Sequence, residues 1–145
     1  MDLDADKAAL NQYNQPMPQT WLELARDARK AANRLVGEHF RSYLFRAYYA
    51  AYSKIAHELA STSGITFVNN REGPSHPGEA GRGGIRRLIE TSMPNLQADK
   101  RIKLSELIGR LYTLRIFADY RPSVEVESRD AREAISIMNT VFDAF

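Results

Sequence analysis

The stretch Leu104-Ser-Glu-Leu107-Ile108-Gly-Arg110-Leu111-Tyr112-Thr-Leu114-Arg115-Ile-Phe-Ala118 decides the fold. Leu104, Leu107, Leu111, Leu114 and Ala118 recur in alternating steps of three and four, which puts them on one face of an α-helix, and Ile108 broadens that stripe. Pro122 ends the helix. The same period continues outward in both directions. Downstream, a helix is expected from a Ser128 cap through Ala131, Ile135, Met138, Phe142 and Phe145, with Asp130 and Glu133 suiting its first turn. Upstream, a short helix through Ile85, Leu88 and Ile89 stops before Pro94.

Further upstream, Phe40, Leu44, Ala47, Ala51, Ile55 and Leu59 form another such series, closed by Gly64. Tyr43, Tyr48, Tyr49 and Tyr52 thicken this helix until more than one face must be covered, which makes it the central helix. Before it, Thr20-Trp-Leu-Glu23 fits a capping box that opens a helix with Trp21, Leu24, Ala28, Ala31 and Leu35 on one side, ending near Gly37. Residues 64–84 hold six of the chain's eight glycines and form the long connection, with Ile65-Thr-Phe-Val68 as its only β-like run. Residues 1–19 show no sustained period and read as a mobile arm. The expected organisation is that arm followed by one all-α domain over 20–145, an antiparallel bundle of four to five helices.

Composition narrows the chemistry. The chain has 145 residues, 43% of them hydrophobic and 26% charged, which suits a single packed domain. Cysteine is absent, so disulfide scaffolds, zinc knuckles and thiol catalysis are excluded. No apolar run reaches the ~20 residues of a membrane span. Met1-Asp-Leu-Asp-Ala-Asp6 lacks the basic start of a secretory leader, so the expected compartment is the cytoplasm. A net charge of +2 does not by itself mark a nucleic-acid binder. Its distribution is less even: residues 1–20, 21–70, 71–121 and 122–145 carry −2, +3, +4 and −3. A basic middle with acidic ends describes either an ordinary solvated surface or an anion-facing centre.

Four places hold candidate chemistry. Gly78-Glu-Ala-Gly81-Arg82-Gly83-Gly84 is no phosphate-binding P-loop, since no Gly-Lys-Ser/Thr follows; Arg82, Arg86 and Arg87 there either hold an anion at the next helix or line a solvated face. The histidines His39, His57 and His76 are dispersed and never spaced as a helical metal pair, so no metal or cofactor is expected. His76 is set apart by its place in the Gly/Pro-rich connection. Arg46-Ala-Tyr-Tyr49-Ala-Ala-Tyr52 combines close-approach alanines with tyrosines, and taken alone core packing explains it better than nucleotide stacking does. Arg115 and Asp119, four apart, share a helix face, with Tyr120 next in sequence.

Taken in order, the Arg46–Tyr52 helix, the loop Ser75-His-Pro-Gly78 and the segment Leu111–Tyr120 resemble the HEPN superfamily, the higher eukaryotes and prokaryotes nucleotide-binding domain. The similarity spans about residues 20–145. It implies a helical bundle that homodimerises around a polar cleft, acting in toxin–antitoxin or defence systems, where a nucleotidyltransferase-type antitoxin is a possible partner. Active members are metal-independent ribonucleases whose arginine is followed, after four to six residues, by a histidine. The family's arginine maps onto Arg115, but this chain has Tyr120 where the shortest form of the motif has its histidine.

That departure matters because RNA transesterification needs a proton acceptor near neutral pKa and a cation at the phosphorane. Tyrosine at about 10 and aspartate at about 3.9 are poorly matched to the first task. The leading expectation is therefore a nucleotide- or RNA-associated binding module without catalysis. A working endoribonuclease using Arg115, Asp119 and Tyr120, or a loop histidine, is the second expectation, and a purely structural partner-binding bundle is the third. Ligand contacts are expected from Arg46, Tyr49, His76, Arg82, Arg86 and Arg110.

Overall fold

The computed structural model describes residues 20–35, 40–62, 65, 67, 73–78, 84–121 and 125–145. The expected arm over 1–19, together with His39 and Arg82, lies outside them. Among the described residues five helices follow in order: α1 Trp21–Leu35, α2 Phe40–Thr62, α3 Ile85–Ser92, α4 Ala98–Tyr120 and α5 Ser128–Asp143. Among the described residues there is no strand, and none of these helices is long and apolar enough to cross a membrane. The protein is all-α.

α2 is the central element and packs against all four others. Its alanines explain how. Ala47, Ala50, Ala51 and Ala56 are fully buried, so neighbouring helices approach its backbone closely while Tyr43, Leu44, Ile55 and Leu59 fill the space between. Leu104, Ile108, Leu111, Leu114 and Ala118 of α4 join the same core, as the period requires. Ile85 and Ile89 seat α3 on it. Arg86 Nε donates to the fully buried Ser105 hydroxyl at 3.1 Å, and Ser105 donates on to Glu90 Oε1 at 2.7 Å, which fixes α3 against α4.

Three expectations shift. On α1 the fully buried positions are Ala25 and Ala32, and Leu24 is 37% exposed; the buried stripe is rotated by about one residue, because alanine permits a closer approach to α2 than leucine does. On α5 the buried line is Ala131, Ala134, Ile137, Met138 and Val141, leaving Ile135 and Phe142 half-buried and Phe145 beyond the helix. Its cap is Glu127 rather than Ser128: the Glu127 amide donates to Asp130 Oδ2 at 3.0 Å, an acid placed where the helix dipole favours it. The Thr20 cap holds, with Thr20 Oγ1 accepting from the Glu23 amide at 3.2 Å. Of the β-like run, Ile65 and Phe67 are described and neither is in a strand; Phe67 is buried in the core.

The C-terminus of α4 matters for the site. Its last carbonyls need donors, and Arg41 of α2 supplies one, with Nη1 at 2.6 Å from Ala118 O. Asp119, at the negative end of the helix, is paired with Arg115 one turn earlier, at 3.1 Å.

Candidate functional site

Helical spacing builds one wall. Phe45, Tyr48, Tyr49 and Tyr52 stand at i, i+3, i+4 and i+7 on α2, so their rings share a side of it. On α4, Tyr112 and Arg115 are three apart and meet that wall from across the core. The Arg115 guanidinium carbon lies 5.1–6.0 Å from the ring centroids of Phe45, Tyr48, Tyr49 and Tyr112. Its Nε donates to Asp119 Oδ2 at 3.1 Å. Arg115 is only 9% exposed. A guanidinium tolerates such burial because it is weakly hydrated and the rings present their negative faces to it.

The connection before α3 supplies the other wall. His76 stacks on Tyr52, with centroids 4.8 Å apart, and runs nearly parallel to Tyr112 at 6.1 Å. The Tyr48 hydroxyl and His76 Nδ1 are hydrogen-bonded at 2.6 Å. Burial pushes the Tyr48 phenol well above its ordinary value, neighbouring Tyr52 adds to this and Arg115 opposes it, so the hydroxyl keeps its proton. Tyr52 Oη donates to Pro74 O at 2.5 Å, and Ile85 N donates to Ser75 O at 2.8 Å, which ties two adjacent residues of the segment, one to α2 and one to the start of α3. Two glycines let it lie so close. A Cβ on Gly73 would stand 2.7 Å from the Trp21 ring, and one on Gly78 would stand 2.8 Å from the Tyr112 ring.

Between these walls runs a groove of about 580 Å3, lined by Trp21 and Leu24 of α1, Arg46, Tyr49 and Tyr52 of α2, and His76. Asp27 and Ser53 add polar groups to its lining. A second hollow, of about 410 Å3, is lined by Arg41, Ser42, Phe45, Arg46 and Asp119. Phe45 and Arg46 belong to both.

The structure brings together Arg46, Tyr49, His76, Arg115 and Asp119 of the expected site residues. Tyr120 is not with them: five residues beyond Arg115, it is turned about 140° round α4 and is 66% exposed. Arg86 is engaged by Ser105 on the α3–α4 contact. Arg110 forms a two-point pair with Glu133 of α5, at 2.7 and 3.1 Å, on a solvent-facing surface. That pair raises the Arg110 pKa and lowers that of Glu133, the hydrogen bond being the main cause in each case. Trp21, Phe45, Tyr48, Tyr52, Tyr112 and Arg41 are site residues that the sequence reading did not assign to the site. The tyrosine cluster was the available signal, and core packing is half of its role. Among the described residues no group of histidines and carboxylates is arranged to hold a metal. No family model, curated protein or solved structure matches the chain, so the chemistry of the site rests on its geometry.

Proposed function

We propose that this chain is a HEPN-like module that binds nucleotides or RNA in the aromatic groove and does not cleave them. The observation that carries this reading is the groove itself: aromatic faces from two helices, a histidine and an exposed arginine lining one hollow of ligand size. Arg115 serves the binding surface indirectly. Its guanidinium is spent on four rings and Asp119, so it holds Tyr49 and Phe45 in place rather than presenting a fork to a phosphate. Following the resemblance, the module acts as a cytoplasmic homodimer of about twice 16.5 kDa in a toxin–antitoxin or defence system, with a nucleotidyltransferase-type protein as the cognate partner.

One contact favours a second reading, an endoribonuclease. His76 reaches through Tyr48 to the ring beneath Arg115, which gives the site a group with a reference pKa near 6.5 that the motif on α4 lacks. The two readings separate in one experiment. Labelled mixed-sequence RNA is titrated with the protein in EDTA, and the RNA is recovered and analysed. Binding that weakens as salt rises, with intact RNA, is the expected result. Cleavage leaving 2′,3′-cyclic phosphate ends and lost in His76→Ala would establish the nuclease. No binding of RNA or nucleotide at low salt would leave the structural bundle as the function.

A further inference from the structure

Arg46 is the arginine that joins the two hollows. It is exposed, it makes no hydrogen bond or ion pair among the described residues, and its guanidinium stands 5.7 Å from the Phe45 ring centroid. Of the other arginines near the site, Arg115 is paired with Asp119, and Arg41, which lines the smaller hollow, gives Nη1 to the end of α4. On one side of Arg46 is the aromatic groove of Trp21, Tyr49, Tyr52 and His76; on the other is the smaller hollow with Ser42 and Arg41.

We infer that this surface is a track for an unpaired nucleic-acid strand, in which one base enters the aromatic groove and the phosphodiester leaving it crosses Arg46 toward Ser42 and Arg41. The inference rests on the reading of the groove as a nucleotide site and adds the class of ligand. Three features select a strand over a duplex or a free nucleotide. The ring faces lie in a groove between helices, where a base stacked and paired within a duplex cannot reach them, whereas an unpaired base turns in. A mononucleotide fills the larger hollow only and leaves the second unoccupied. Arg46 sits at the junction, where a chain continuing from one hollow to the next must place its backbone charge, and its guanidinium lies over the Phe45 ring. Of the described acids lining the two hollows, Asp119 is paired with Arg115, and Asp27 stands on α1 in the larger hollow, where the base rather than the phosphate is placed. RNA and DNA strands share this chemistry and are separated by experiment.

The test measures fluorescence anisotropy at 4 °C in EDTA. The probes are a labelled ten-nucleotide single-stranded RNA, the DNA of the same sequence, and the RNA annealed to its complement; AMP is used as competitor. The single strands should bind at least tenfold more tightly than the duplex, and AMP should compete only at far higher concentration. A preference between the two single strands names the natural ligand. Tyr49→Ala should weaken strand binding about tenfold without changing its salt slope, and Tyr49→Phe should restore it. Arg46→Ala should weaken binding and reduce the salt slope by about one. Arg87→Ala, on the exposed face of α3, should change neither, and thermal melts confirm that each variant folds. Equal affinity for duplex and strand, or for AMP and strand, overturns the track and leaves the nucleotide-binding reading standing. Strand binding unaffected by Tyr49→Ala and Arg46→Ala overturns it as well. No binding of any probe overturns both.

Discussion

Arg115 was legible in sequence as a residue of consequence, but its role was not. Spacing placed it four residues from Asp119, and the pair does form, at 3.1 Å. Spacing could not show the four aromatic rings, because three belong to another helix brought alongside only by folding. Replacing Arg115 with alanine opens a space beneath those rings and strands Asp119 at the negative end of α4. The expected loss is about 2–3 kcal/mol of stability, read from urea unfolding, with Arg115→Lys failing to restore it because an ammonium cannot lie flat under several rings. A loss below about 0.5 kcal/mol would mean that the guanidinium is available to a ligand after all. His76 shows the converse limit. It was singled out by its loop, but its stacking against Tyr52 and Tyr112 depends on Gly73 and Gly78 approaching rings from α1, α2 and α4, which no local pattern encodes.

The helices were the most legible level, since each carries a period near 3.6 over several turns. Errors fell where alanine and larger apolar residues alternate on neighbouring faces. Leu24 and Ala25 compete for the interior of α1, and the small residue wins because α2 is close; the exposed leucine then lines the groove. The basic residues of α3 and α4 misled for a related reason. Arg86 and Arg110 have the charge for an anion site, but each finds a partner on an adjoining helix, Ser105 and Glu133 respectively. The Arg110–Glu133 pair has a pH signature. Its hydrogen bond lowers the folded-state Glu133 pKa, so its contribution is complete above the unfolded value of about 4.3 and is lost as pH falls through the lower folded value. Both groups are largely exposed, which limits the effect to under about 1 kcal/mol. The wild-type advantage over Glu133→Gln, read from urea midpoints, should therefore be present at pH 7 and absent once Glu133 is protonated. An advantage that persists in acid would trace to packing instead.

At the scale of the whole molecule, the basic middle of the sequence divides in two. Arg86 of α3 and Arg110 of α4 hold helices together, whereas Arg41 and Arg46 of α2 line the smaller hollow beside the aromatic groove. Net charge of +2 conceals this, because an arginine bonded to a neighbour and one facing a groove count equally. What turns an ordinary helical bundle into a binding surface is the conjunction of Arg46 with the rings of Trp21, Tyr49 and Tyr52, and contact between those rings and a base is the central claim. It is tested most directly by photocrosslinking a single-stranded RNA carrying 5-bromouridine to the intact protein and mapping the adducts by mass spectrometry. The expected adducts lie on Trp21, Tyr49 or Tyr52 and disappear when unlabelled strand competes. Competed adducts confined to residues outside the groove, such as Tyr120 or Phe145, would contradict it.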